Sequence, residues 1–242
     1  MTPVTTAMQS ISGNRRAAWC IAVTMLMVGG SAALDAHGVS GKDAVYLQGL
    51  QGPAIGPLLY LGAKHMVTGY DHLLFLVGVI FFLYRLKDVL LYVSLFTIGH
   101  STTLLMGVLG GIHANAFLID AVIGFSVVYK AFENMDGFKR FLGFQPNTKL
   151  AVLLFGFFHG FGLATKLQEF ALSPNGLVTN IVSFNVGVEV GQFLALAGIL
   201  IAFTYWRQRA GFFRHAFWTN ALVMSCGFLL VGYQLSDYFL AS

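Results

Sequence analysis

The sequence predicts an all-α, polytopic membrane protein: a bundle of six transmembrane helices behind an N-terminal signal peptide. Three observations carry that reading. The 242 residues are 57% hydrophobic and only 10% charged, with a mean hydropathy of +0.74, whereas soluble domains carry about 25% charged residues. Six hydrophobic stretches follow one another near residues 57–84, 89–111, 115–133, 149–167, 177–205 and 216–240, most of them close to the roughly 20 residues that span a bilayer as helix. Finally, basic residues fall in alternate breaks between these stretches.

The leader comes first. Arg15 and Arg16 form a basic region, AAWCIAVTMLMV an apolar core and GGSAALDA a small-residue tail, the layout of a secretory signal. Residues 1–36 are therefore expected to be a signal peptide, cleaved after Ala33 or after Ala36. The second cut would make His37 the new terminus. Residues 37–242 then form a single transmembrane helical domain. Cys20 lies in the leader and Cys226 in the last stretch, which excludes a disulfide framework and a cysteine metal site. The net charge of +4 is spread over loops, so nucleic acid is not an expected partner.

The first stretch opens with KHMVTGYDH, residues 64–72. Its purely apolar remainder, LLFLVGVIFFLY, is too short to cross alone. The helix must therefore take in the polar half or break at Gly69. Polar groups at that depth are tolerated only where they face protein or a wet cavity. His65 and His72 share a face if the helix is continuous. The second stretch carries FTIGHSTTLL, with His100 near its middle, and the third carries Asp120, Ser126 and, at its inner end, Glu133. The fourth places His159 between glycines in FGFFHGFGLA. In the fifth, FNVGVEVGQ aligns Asn185, Glu189 and Gln192 along one helical face.

Arg85 and Lys87, then Lys139, Arg140 and Lys149, then Arg207, Arg209 and Arg214 mark alternate breaks. If basic loops are cytoplasmic, both mature termini are periplasmic, as the signal peptide also requires. The expected location is the bacterial inner membrane. On that topology Asp71, His72, Asp120, His159 and Asn185 fall toward the outer leaflet, with His100 and Glu189 nearer the middle, a polar funnel that narrows inward.

An acid at the bilayer centre costs about 2.5–3.5 kcal/mol. Asp71, Asp120 and Glu189 uncompensated would cost roughly 6–9 kcal/mol on that scale, against a whole domain's stability of about 5–15 kcal/mol. Something must offset this. Taken singly, each residue has an ordinary reading: Asn185 and Gln192 as glue between helices, Ser126 and Thr102 bonded to their own backbone, Glu133 hydrated at the cytoplasmic edge. Taken together, four histidines and three acids on five segments point to a shared site. Imidazole and carboxylate ligands suit Ni²⁺, Co²⁺ and Zn²⁺.

The segments HMVTGYDHLLF, FTIGHSTTL, FGFFHGFGLA and FNVGVEVGQ, in this order, resemble the signature segments of the HupE/UreJ family of membrane proteins. The closest likeness is to the branch with a His-x5-Asp-His first motif, and it runs over residues 37–242. The resemblance implies a nickel or cobalt permease. It also implies metal-binding roles for His65, Asp71 and His72, for His100, for His159, and for Asn185, Glu189 and Gln192. Asp120 stands where this branch is expected to carry glutamate, one methylene longer.

The expected function is uptake of Ni²⁺ or Co²⁺ from periplasm to cytoplasm by a secondary permease rather than an enzyme. His65, Asp71 and His72 would capture the ion, and His100, Asp120, His159 and Glu189 would relay it. No tightly bound cofactor is expected; the ion is cargo, with Zn²⁺ a further candidate. The expected partners are that ion, the bilayer and, as a homo-oligomer, further copies of the chain. Two alternatives stand beside this reading: a zinc-dependent intramembrane hydrolase, against which the lack of HExxH and GxSxG patterns counts, and a non-catalytic metal-binding scaffold subunit.

Overall fold

The structure, a computed structural model, describes residue 49 and residues 52–169 and 174–241, all within the compact unit Gly38–Ser242. The expected leader, its cleavage points and His37 lie outside the described residues. Among the latter, the regular structure is helical throughout: α1 (Ile55–Thr68), α2 (Tyr70–Ile80), α3 (Leu86–Gly110), α4 (Ala116–Asn134), α5 (Gly137–Leu142), α6 (Thr148–Glu169), α7 (Leu177–Arg207) and α8 (Phe212–Ala241).

Among the described residues, four helices are long and apolar enough to cross a membrane: α3, α6, α7 and α8. The third stretch forms α4, 19 residues long, whose apolar run is interrupted by Asp120, Lys130 and Glu133. The first stretch is not one continuous helix. It breaks at Gly69, which takes extended dihedrals (φ −71°, ψ 106°) and returns its N–H to the His65 carbonyl at 2.9 Å.

The helices associate as close pairs, α1 with α7, α3 with α6 and α4 with α8, while α6 and α2 also pack on α4. In lipid, helix association depends on close packing more than on apolar burial, so small residues mark the contacts. A Cβ on Gly187 would lie 2.0 Å from the Leu59 carbonyl oxygen, and one on Gly160 would lie 2.1 Å from that of His100. Any side chain there would push α1 off α7, or α3 off α6.

Helix directions follow from cross-links at one end of the bundle. The Asn134 amide donates to the Gly78 carbonyl and to Asn220, the Thr148 hydroxyl donates to Glu133, and the Arg207 guanidinium donates to the Ile80, Phe81 and Leu83 carbonyls. Thus α2, α4 and α7 finish where α6 and α8 begin. The basic breaks around Arg85, Arg140 and Arg209 belong to this end. Arg207 also explains how α2 can stop inside the bundle, because its fork satisfies carbonyls that a helix C-terminus leaves orphaned.

Buried apolar residues form two clusters. One, around Leu58, Met66, Leu104, Leu163 and Phe184, joins α1, α3, α6 and α7. The other, around Phe75, Phe81, Phe96, Phe203 and Phe212, centres on α2. The helix break lies between Met66 of the first cluster and Phe75 of the second.

Candidate metal centre

Breaking the first helix at Gly69 does not separate its two histidines. The His65 and His72 rings stand 5.1 Å apart, edge to face. His72 also meets His159 of α6 at 5.0 Å and His100 of α3 at 6.1 Å. Four histidines from four helices therefore surround one point, with His72 at its centre. The close approach of α3 to α6 at Gly160, next to His159 and against the His100 carbonyl, sets that convergence.

Asp71 completes the group. Its Oδ1 lies 3.0 Å from His72 Nδ1, and one ligand atom each from Asp71, His72 and His159 can be chosen within 4.8 Å of one another. A carboxylate holding one imidazole nitrogen fixes the ring and leaves the other nitrogen as a ligand. His72 Nε2 has no hydrogen-bond partner, nor does either ring nitrogen of His100. His159 is oriented in the same way, by a 2.8 Å contact from Nδ1 to the Phe155 carbonyl. Asp71, His72, His100 and His159 are all buried.

The surroundings are aromatic. Phe96 stacks on His100 at 5.9 Å and meets His159 edge-on at 4.9 Å, while Phe75 lies 5.3 Å from His159. These rings lower the local dielectric and strengthen any charge interaction inside. Gly69 is required for a spatial reason. A Cβ there would sit 2.9 Å from His72 Nδ1, 3.0 Å from the His65 carbonyl oxygen and 3.1 Å from Asp71 Oδ1.

The other expected site residues are placed differently. Asp120 is buried on α4 and pairs with Lys166 Nζ of α6 at 2.7 Å, so its charge is compensated by a lysine. Asn185 donates to Ser101 Oγ at 3.0 Å, joining α7 to α3, and its own Oδ1 stays without a hydrogen bond. Gln192 accepts from Thr97 at 3.2 Å and lines a cavity of about 10 Å³ together with His72 and Phe96. Glu189 is half-buried and makes no hydrogen bond or ion pair among the described residues. Ser126 and Thr102 bond their own backbone, to the Ile123 and Ile98 carbonyls.

One feature differs from the sequence expectation. Glu133 is not simply hydrated. It is buried and accepts from Lys130, from Gln145 at 2.6 Å and from Thr148. The Lys130–Glu133 pair was visible in YKAFEN as an i, i+3 spacing. No local spacing announces Lys166 as the partner of Asp120.

Apolar helices of membrane length, with histidines and carboxylates turned into a common interior, define a multi-pass helical membrane protein with a polar centre. The chain belongs to the HupE/UreJ family: the family model described as HupE / UreJ protein matches residues 41–242. That family is of the nickel/cobalt transporter type. No curated protein and no solved structure matches the chain.

Proposed function

We propose that this protein is a secondary permease that carries Ni²⁺ or Co²⁺ inward across the bacterial cytoplasmic membrane. In this reading α1 with α2, and α4, complete six crossings. The end rich in Arg85, Arg140 and Arg209 faces the cytoplasm, and both ends of the mature chain face the periplasm. Family membership turns the reading toward transport and away from a zinc hydrolase.

The observation that carries it is the grouping of Asp71, His72 and His159 within 4.8 Å. Ligands on one ion, at bonds of about 2.1 Å, stand roughly 3–4 Å apart, so side-chain shifts of up to about 1 Å would close the set. His65 and His100 stand next to His72 and can take further positions of an octahedral shell. Imidazole nitrogens suit late divalent metals better than Mg²⁺ or Ca²⁺. Asp71 contributes a charge that neutral histidines lack. The break at Gly69 puts these ligands at the mouth of α2, where the chain is no longer a continuous apolar helix.

His72→Ala removes the central ligand. Cells carrying it should accumulate less than a tenth of the wild-type Ni²⁺ or Co²⁺, and the purified variant should lose the Co²⁺ absorption band that the wild-type protein develops on titration. Normal accumulation together with an unchanged band would refute the reading.

A further inference from the structure

At the basic end of the bundle lies a second cavity, of about 400 Å³, bounded by the ends of α2 and α4 and the start of α6. Lys130 and Glu133 line it although both side chains are almost wholly buried. The small cavity beside His72 and Gln192 adjoins it, because Val79 and Tyr92 contribute to the walls of both. The small cavity has room for about one water-sized sphere. The two spaces thus meet across Val79 and Tyr92, one beside His72 and the other beside Glu133.

We propose that this cavity is the exit vestibule of the ion path and that Glu133 is its receiving ligand, with Lys130 as the built-in cation that an arriving metal displaces. This rests on the permease reading above. Burying a lysine beside a glutamate contributes little net stability compared with apolar residues of similar size. The pair is better suited to substitution of one cation for another: with Lys130 in place Glu133 is neutralised, and with Lys130 swung toward the cavity its Oε2 is open. Gln145 and Thr148 hold the carboxylate from the α6 side throughout.

The chemistry also gives a direction. Glu133, Thr148 and Gln145 offer oxygen ligands alone, which hold Ni²⁺ and Co²⁺ less firmly than imidazole does. Conduction needs successive sites strong enough to admit an ion and weak enough to release it. A nitrogen-rich centre followed by an oxygen-only one, beside a competing ammonium, meets that requirement.

Co²⁺ titration of purified full-length protein tests the proposal. The wild type should bind one equivalent, and Lys130→Met, which leaves Glu133 uncompensated, should bind two. The double variant Lys130→Met/Glu133→Leu removes the pair together and should return to one. Glu133→Gln and the double variant should keep wild-type affinity at the first equivalent while cellular Co²⁺ uptake falls at least tenfold. A single equivalent in Lys130→Met, or wild-type uptake by the double variant, would overturn the proposal. Loss of the first equivalent belongs to the histidine centre and is read from His72→Ala, so the two readings fail separately.

Discussion

Gly69→Ala perturbs the geometry of the centre directly. The backbone at Gly69 (φ −71°, ψ 106°) lies where alanine is unstrained, and replacing glycine there should stabilise the chain by about 0.4–1 kcal/mol through the unfolded state. The added methyl, however, meets the site itself. Contacts closer than 3.4 Å are already tight for a Cβ, so the 2.9 Å approach to His72 Nδ1 and the 3.1 Å approach to Asp71 Oδ1 demand shifts of about 0.5 and 0.3 Å. The third neighbour, the His65 carbonyl, is backbone and already accepts the Gly69 N–H, so it has little freedom to give. The imidazole and the carboxylate must move, and their 3.0 Å contact stretches toward the limit of a hydrogen bond. Loss of an orienting partner costs a ligating histidine about 10–100-fold in metal affinity, or about 1.4–2.7 kcal/mol. Gly56, whose Cβ would meet nothing within 4 Å, supplies the control. Co²⁺ titration should show weakened binding in Gly69→Ala and wild-type binding in Gly56→Ala. Wild-type affinity in Gly69→Ala would show that Asp71 does not hold His72 for a ligand role.

Two further outcomes concern the ion pair and the helix end. Lys166→Met leaves Asp120 buried without its cation and should cost about 3 kcal/mol, toward the lower bound for broken buried pairs because Lys166 keeps 13% of its side-chain surface. Denaturant titration in detergent should show the loss, and Asp120→Leu added to it should restore part; an unshifted midpoint would remove the pair from the account. Arg207→Met strips the Ile80, Phe81 and Leu83 carbonyls of their donors and should cost at least about 2 kcal/mol, given about 1.5–3 kcal/mol for one hydrogen bond to a charged group. Arg207→Lys should recover less than half, because an ammonium cannot reproduce the planar fork.

Helix placement was largely legible in the sequence because apolar length and basic breaks are local signals. The stretches at 89–111, 149–167 and 177–205 reappear, shifted by a few residues, as α3, α6 and α7. The break NMDGFKRFLGFQPNT hid a short helix, α5. It starts after Asp136 at φ 58° and stops at Gly143 at φ 76°, and Phe138 and Phe141 pack against Phe132. That contact is tertiary, so no periodicity announced it. The meeting of His72 with His100 and His159 was not legible, because it depends on how α2, α3 and α6 pack and not on any local spacing. The partner of Asp120 was not legible, because only the packing of α4 on α6 brings Lys166 to it.

The treatment of the buried acids separates structural charge from working charge. Asp120 and Glu133 each have a lysine within the bundle, so each pair offsets part of its own cost in lipid. Asp71 also holds His72, which sets a carboxylate among imidazole ligands. In low dielectric, a carboxylate and a cation attract each other strongly. A metal ion is therefore drawn first to the histidine centre, where charge and nitrogen ligands coincide. It can go on to Glu133 only by displacing Lys130, and an ion that must compete with a tethered ammonium is easily released.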